Sequence, residues 1–352
     1  MYLPTTPLDA WIKAKIGLAA HQNLTAAALT AYQMERLRVT LKYVKRRSPF
    51  YRRHLGAHAP QSVQCPRDLA RWPVTTATDL RQDPLAFLCV SQSAVEKVVT
   101  LPARSPRTRP KRLFFSAADL ELAVDFFHHA FSTLLAAEQR MIVLMPCRQP
   151  GSVGDLLSRG LARLSVTVVA HGPMDSPQAI VAAVLAHRID CLTGIPSEMA
   201  ALMRHPEAAR IPAGQITSIW IGTQNTPRSL VGAMGRFWGC PVFQHYGAAE
   251  MCPGGGVECA ARDGFHLREA DLFIEIVDPV TAQPVPDGTF GMVVVTTLTR
   301  QAMPLVRYRT GHMAAIMKTP CPCGSVLRRM TRYGWKPMGI NGMPVYESAV
   351  PV

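Results

Sequence analysis

Apolar positions near the start of the chain recur at spacings of three or four, the period of one helix face. Leu8, Trp11, Ile12 and Ile16 form one such series, and Met34, Leu37, Leu41 and Val44 another, so residues 8–56 read as helical. Pro49 stops or bends the second helix. The basic run Lys42-Tyr43-Val44-Lys45-Arg46-Arg47 reads as a solvated helix face. From about residue 113 the pattern changes. Ala117–Leu135 is amphipathic, with Asp119 near its start suiting the helix dipole. Met141–Met145, Val166–Ala170, Cys191–Thr193, Ile216–Ile221 and Val242–His245 are short apolar runs, hence strands. Helical patterns lie between them at Gly151–Leu164, Pro177–His187, Ser197–Arg204 and Pro227–Trp238. This alternation predicts a mostly parallel sheet built from βαβ units.

After Gly264 the pattern shifts again. Leu272–Val277, Gly291–Thr297 and Ala314–Met317 read as strands without long helices between them. Asp278-Pro279 and Pro286-Asp287-Gly288 mark turns. A smaller β-rich subdomain is therefore expected to follow the α/β body.

Composition, 48% hydrophobic and 18% charged, belongs to a globular chain and not to a disordered one. No apolar run is long enough to cross a bilayer. Met1-Tyr2-Leu3-Pro4 lacks the basic stretch and apolar core of a signal peptide, so a cytoplasmic protein without a membrane partner is expected. The net charge of +14 would suit nucleic acid, a membrane surface or an anionic substrate such as a nucleotide or coenzyme A. The arginines are spread along the chain without interleaved aromatics or a nucleic-acid-binding motif, so nucleic-acid binding rests on charge alone and is not expected.

Nine cysteines in a chain of 352 residues do not form the disulfide framework of a small secreted domain. Cys65, Cys89, Cys147 and Cys191 stand beside apolar residues and read as reduced thiols. Cys321-Pro322-Cys323-Gly324 is different, a close thiolate pair on a turn, and Cys259 with His266 makes a second pair seven residues apart. Two pairs supply the four sulfur and nitrogen ligands of a tetrahedral zinc site, which would be closed and therefore structural. Reduced thiols beside a hydrogen-bonded His266 are the alternative.

Five separated segments carry a further pattern: Tyr51-Arg52-Arg53, Leu69–Leu80, His245-Tyr246-Gly247-Ala248-Ala249-Glu250, Gly255–His266, and Arg307-Tyr308-Arg309-Thr310-Gly311-His312. In order and spacing they resemble the adenylate-forming enzymes, specifically phenylacetate–CoA ligases. The resemblance implies the N-terminal domain of that α/β fold, with a helical N-terminal segment and degenerate phosphate loop at 1–112, an α/β body at 113–258, and a β-rich subdomain with the zinc site at 259–333. Residues 334–352 would be a hinge, with Trp335 where the family has Arg, and a remnant of a C-terminal domain otherwise absent together with its catalytic Lys. Some similar proteins carry zinc near this position, where it would pin the β-rich subdomain to the body.

The resemblance also assigns roles. Glu250, Arg309 and Lys111 would be catalytic, with Glu250 helping to hold Mg²⁺. Tyr246 and Gly247, with Gly222 and Thr223, would line the nucleotide pocket, and His312 would face the ribose. Several positions depart from the family pattern. Of its phosphate loop, 103–112 keeps only Pro110 and Lys111, and Pro106 has no N–H to offer a phosphate. Ala249 replaces a Thr. His312 replaces an Asp that accepts from both ribose hydroxyls, whereas an imidazole has at most one acceptor nitrogen. Weak ATP or AMP binding with Mg²⁺ is therefore expected. Two functions from different classes follow. One is an adenylating half that activates an aryl or acyl carboxylate, completed by a C-terminal domain from a partner protein. The other is a ligand-binding or accessory protein impaired in adenylation, a pseudoenzyme.

Overall fold

The computed structural model describes residues 6–19, 21–102, 108–132, 134–222, 226–331 and 334–335. The N-terminal segment contains α1 (Leu8–Lys15), α2 (Ala26–Arg47), α3 (Pro49–His54), α4 (Pro66–Leu69) and α5 (Ala77–Gln82), then the strands β1 (Lys97–Leu101) and β2 (Lys111–Phe115). The body follows as α6 (Ala117–Phe131), β3 (Arg140–Leu144), α7 (Val153–Leu161), β4 (Thr167–Ala170), α8 (Pro177–Ala186), β5 (Cys191–Gly194), α9 (Pro196–Arg204), β6 (Ser218–Ile221), α10 (Arg228–Trp238) and β7 (Val242–Tyr246). The remaining strands are β8 (Gly256–Val257), β9 (Phe265–Leu267), β10 (Leu272–Val277), β11 (Gly291–Thr297), β12 (Tyr308–Ala314), β13 (Arg329–Met330) and β14 (Gly334–Trp335).

Local chemistry sets the helix limits. The Thr25 side chain accepts the Ala28 amide at the start of α2. At its end Ser48 turns extended and caps α3, with Pro49 in the first turn, where a missing N–H costs nothing. Asp119 does more than suit a dipole. It closes a capping box with Ser116 and also accepts the Gln301 and Ala302 amides at 2.6 and 2.9 Å, tying α6 to a distant loop.

The main sheet runs β13-β9-β8-β7-β6-β5-β3-β4, parallel from β7 to β4 and antiparallel from β7 to β13. Along β3, Met141 and Val143 join one core cluster while Ile142 and Leu144 join the other. Both faces are buried, which is why the parallel strands read as unbroken apolar runs. β9 and β13 lie beyond residue 258 yet extend this same sheet. A second, antiparallel sheet has the order β10-β11-β12-β14.

One expected strand is displaced. Ala314–Met317 shares only Ala314 with β12, which begins at Tyr308, and Ile316 makes an isolated bridge to Met330. The bulge opposite Met292–Val294, Gly311 at φ +84° and the polar residues of 309–312 hide the period of β12. The hairpin β1–β2 was not foreseen either. The N-terminal segment docks on the second sheet: Tyr51 accepts the Val306 amide at 2.8 Å, and Thr75 donates to the Arg307 carbonyl at 3.0 Å. Among the described residues no helix is long and apolar enough to cross a membrane.

Candidate functional site

β2, the loop after β7 and the start of β12 converge on one cleft of about 770 Å³. β2 contributes Lys111, the loop contributes Gly247, Ala248, Ala249 and Glu250, and β12 contributes Thr310 and His312. Lys111 pairs with the Glu250 carboxylate, and Tyr308 OH lies 3.0 Å from Lys111 Nζ and 3.1 Å from Glu250 Oε1. Burial pushes the Glu250 carboxyl up, but the Lys111 ammonium overrides it and holds the group below the usual carboxylate range. Arg300, buried over the Phe115 ring, donates to the Glu250 and Phe114 carbonyls at 3.1 and 2.9 Å. That anchor joins β2 to the glutamate loop.

On the neighbouring wall Tyr246 OH meets His312 Nδ1 at 3.0 Å, with the rings edge to face. Burial pushes the His312 imidazole down to about 4, so it is neutral at pH 7. Glycines fit the backbone here. A Cβ on Gly247 would come within 2.9 Å of the Gly254 amide nitrogen, and one on Gly222 would fall 1.9 Å from His245 Cε1. Gly222 thus makes room for the His245 ring, which lines the cleft.

Of the residues expected at a nucleotide site, Lys111, Glu250, Tyr246, Gly247 and His312 come together around this cleft, with Gly222 packed beneath it. Arg309 does not join them. While Thr310 and His312 line the cleft and Tyr308 reaches Lys111 and Glu250, Arg309 donates to the Pro279 carbonyl at 2.5 Å. Thr223 and the arginines at 104 and 107 lie outside the described residues. Tyr308, Arg300 and His245 were not foreseen. Tyr308 could have been, because it shares strand parity with His312. Arg300 and His245 carry no local signal of their role.

The second constellation lies where β9 and β13 pair. Cys259, His266, Cys321 and Cys323 are all buried, and one ligand atom from each falls within 4.8 Å of the others. Cys259 and Cys321 sulfurs are 3.6 Å apart, and Cys323 Sγ lies 3.5 Å from His266 Nε2. A tetrahedral zinc with ordinary bond lengths separates two sulfurs by about 3.8 Å and a sulfur from a nitrogen by about 3.6 Å. The four residues therefore fit a closed four-ligand metal site.

A family model described as AMP-binding enzyme matches residues 109–299. The phenylacetate-coenzyme A ligase of Thermus thermophilus is 30% identical over 88% of this chain and 70% of its own length. That of Pseudomonas putida is 30% identical over 84% of this chain and 68% of its own. Among solved structures, a 2-hydroxyisobutyryl-CoA ligase in an open conformation with 2-HIB-AMP and CoA superposes with a TM-score of 0.82 at 19% identity, covering 92% of this chain and 79% of that one. An amide bond synthetase from Marinactinospora thermotolerans gives a TM-score of 0.51 at 18% identity, over 68% of this chain and 48% of that one.

Proposed function

The chain belongs to the phenylacetate–CoA-ligase-like AMP-binding enzymes, and we propose that its cleft binds an adenine nucleotide beside an apolar carboxylate but adenylates it poorly. The nucleotide would meet Tyr246, Gly247 and His312, with Glu250 and Lys111 at the phosphates. The single observation behind the impairment is His312. It stands where the family has a two-oxygen ribose acceptor, it is neutral, and its Nδ1 is engaged by Tyr246. Ala249 in place of a hydroxyl residue acts in the same direction. When bound, Mg²⁺ would screen phosphate charge at Glu250, and Lys111 would have to yield that carboxylate.

The experiment is calorimetric titration with ATP, AMP and a panel of aryl acids, followed by pyrophosphate exchange. Weak nucleotide binding and slow exchange are expected. Tight Mg²⁺-dependent ATP binding with rapid exchange would overturn the impaired reading. It would favour the second one, an active adenylating enzyme, for which the convergence of Lys111, Glu250 and Tyr246 is the argument.

Cys259, His266, Cys321 and Cys323 we assign to one structural zinc. The support is that all four ligand atoms lie within 4.8 Å of one another and that two of their separations are close to tetrahedral values. Four protein ligands leave no open position, so the metal would fasten β9 to the turn at 321–324 and take no part in chemistry.

A further inference from the structure

The cleft extends well beyond its nucleotide end. At the other end Lys97 of β1 stands beside Gly151 and opposite Phe115, its partner on β2, and Val99, Leu101 and Phe127 line the cleft as well. Lys97, Val99 and Leu101 are the half-buried positions of β1, and they alternate with exposed Val98 and Thr100. Leu101 pairs with Lys111, so Lys97 and Lys111 sit near opposite ends of one hairpin face. With four residue steps from Lys97 to Leu101 and a rise near 3.4 Å per residue, the two lysine backbones stand roughly 14 Å apart.

Charge distinguishes the two lysines. The ionisable groups lining the cleft are Lys97, Lys111, His245, Glu250 and His312. Lys111 and Glu250 cancel, and burial holds both imidazoles down to about 4, hence neutral at pH 7. Among the described lining residues Lys97 alone supplies net charge. Its stem packs on Gly151, and its ammonium donates to the Pro150 carbonyl at 2.8 Å, which is neutral. Asp155 is occupied by the Gly151 amide at 2.8 Å, and no carboxylate among the described residues pairs with Lys97. A half-buried lysine that holds its exposed ammonium at the end of an apolar trough offers a binding position for an anion.

We propose that Lys97 selects carboxylates carrying a second anionic group at their far end, so that the preferred substrate is an elongated dianion with an apolar middle. This rests on the reading of the cleft as a carboxylate site. The reactive carboxylate would lie toward Lys111 and Gly247, the apolar middle along Val99 and Phe127, and the second anion at Lys97 beside Phe115.

Calorimetric titration with decanedioate, decanoate and phenylacetate, on the full chain and on Lys97→Met, tests it. The full chain should bind decanedioate about tenfold more tightly than decanoate, the worth of one charge-assisted hydrogen bond. Lys97→Met should lose that preference while its decanoate affinity changes by less than about twofold. Decanoate binding as tightly as decanedioate, or a preference that survives Lys97→Met, overturns the proposal and leaves the carboxylate reading intact. If none of the three acids binds the full chain, the carboxylate reading itself fails, and this inference with it. Circular dichroism of Lys97→Met keeps a folding defect from passing for lost selectivity.

Discussion

Tyr246 and His312 meet across the cleft with the phenol oxygen 3.0 Å from Nδ1. With Nδ1 committed, at most Nε2 can meet a ribose hydroxyl, where a carboxylate would offer two oxygens. Replacing His312 with Asp supplies those oxygens and still leaves an acceptor for Tyr246. AMP affinity should rise about tenfold, since a hydrogen bond to a charged group is worth roughly 1.5–3 kcal/mol. Calorimetry on His312→Asp checks this, and an affinity equal to or below that of the parent counts against a ribose-facing position.

The same imidazole sets a pH dependence. Its folded-state value is about 4 because burial disfavours the charged ring, whereas an unfolded histidine titrates near 6.5. Between those values the unfolded chain binds the extra proton, so stability falls as pH drops through the window. From pH 7 to 5 the loss from His312 should be roughly 1–2 kcal/mol. Urea unfolding at both pH values, with His312→Asn as the reference that lacks this step, isolates the contribution.

How much could be read in advance depended on what each pattern encodes. β3, β5, β6 and β7 were legible because burial on both faces leaves short apolar runs between helices. The β1–β2 hairpin was not, because β1 has no buried position and β2 is buried only over Leu113, Phe114 and Phe115. Lys111, Glu250 and Tyr246 were legible through family motifs, which report chemistry without showing where a side chain points. Arg309 illustrates the difference: the family residue is kept there, but its side chain turns away to Pro279. The cysteines and His266 were legible as two pairs, while their convergence depended on β9 and β13 becoming neighbours. Lys97 carried no local signal at all, since its position follows from a register between strands that were themselves not foreseen.

Protein purified without chelator should contain one zinc per chain by elemental analysis. Because a structural metal contributes directly to folding free energy, Cys323→Ser should lower Tm by about 5 °C or more. EDTA should lower the Tm of the parent and leave that of Cys323→Ser unchanged. Equal sensitivity of the two proteins to chelator would place the metal elsewhere.

Arg307 uses all five of its side-chain N–H groups while buried. It donates twice to Glu275, and once each to the Ala70, Trp72 and Ala282 carbonyls, at 2.6–3.1 Å. It thereby holds the 70–72 turn of the N-terminal segment against β10 and the turn beyond it. Burial pushes the Glu275 carboxyl up despite this pairing. Arg307→Met leaves Glu275 and three carbonyls unpartnered and should cost about 3–5 kcal/mol in urea unfolding. Arg307→Lys should recover only part of that, because one ammonium cannot reach the same set of acceptors.

The Lys111–Glu250 pair links stability to the chemistry of the cleft. Both side chains are largely buried, with 12% and 8% of their surface exposed, so removing either partner strands a charge in a poorly solvated place. Lys111→Met and Glu250→Gln should each lower stability by about 3 kcal/mol, and the double variant by clearly less than their sum. Glu250 also fixes a pH window. Burial raises its carboxyl value, but Lys111 depresses it further, to below the ordinary range. A depressed acid contributes stability that is present above its unfolded value and lost as pH falls through the folded one. Glu250→Gln should therefore flatten the stability profile below about pH 4.5, whereas His312→Asn flattens it between about 6.5 and 4. Nucleotide binding separates the roles further. If Lys111 turns from Glu250 to the phosphates when nucleotide binds, Lys111→Met should lower ATP affinity in Mg²⁺ while leaving that for a nucleoside without phosphates unchanged. An equal loss for both ligands in titrations of Lys111→Met would mean that the pair only supports the fold.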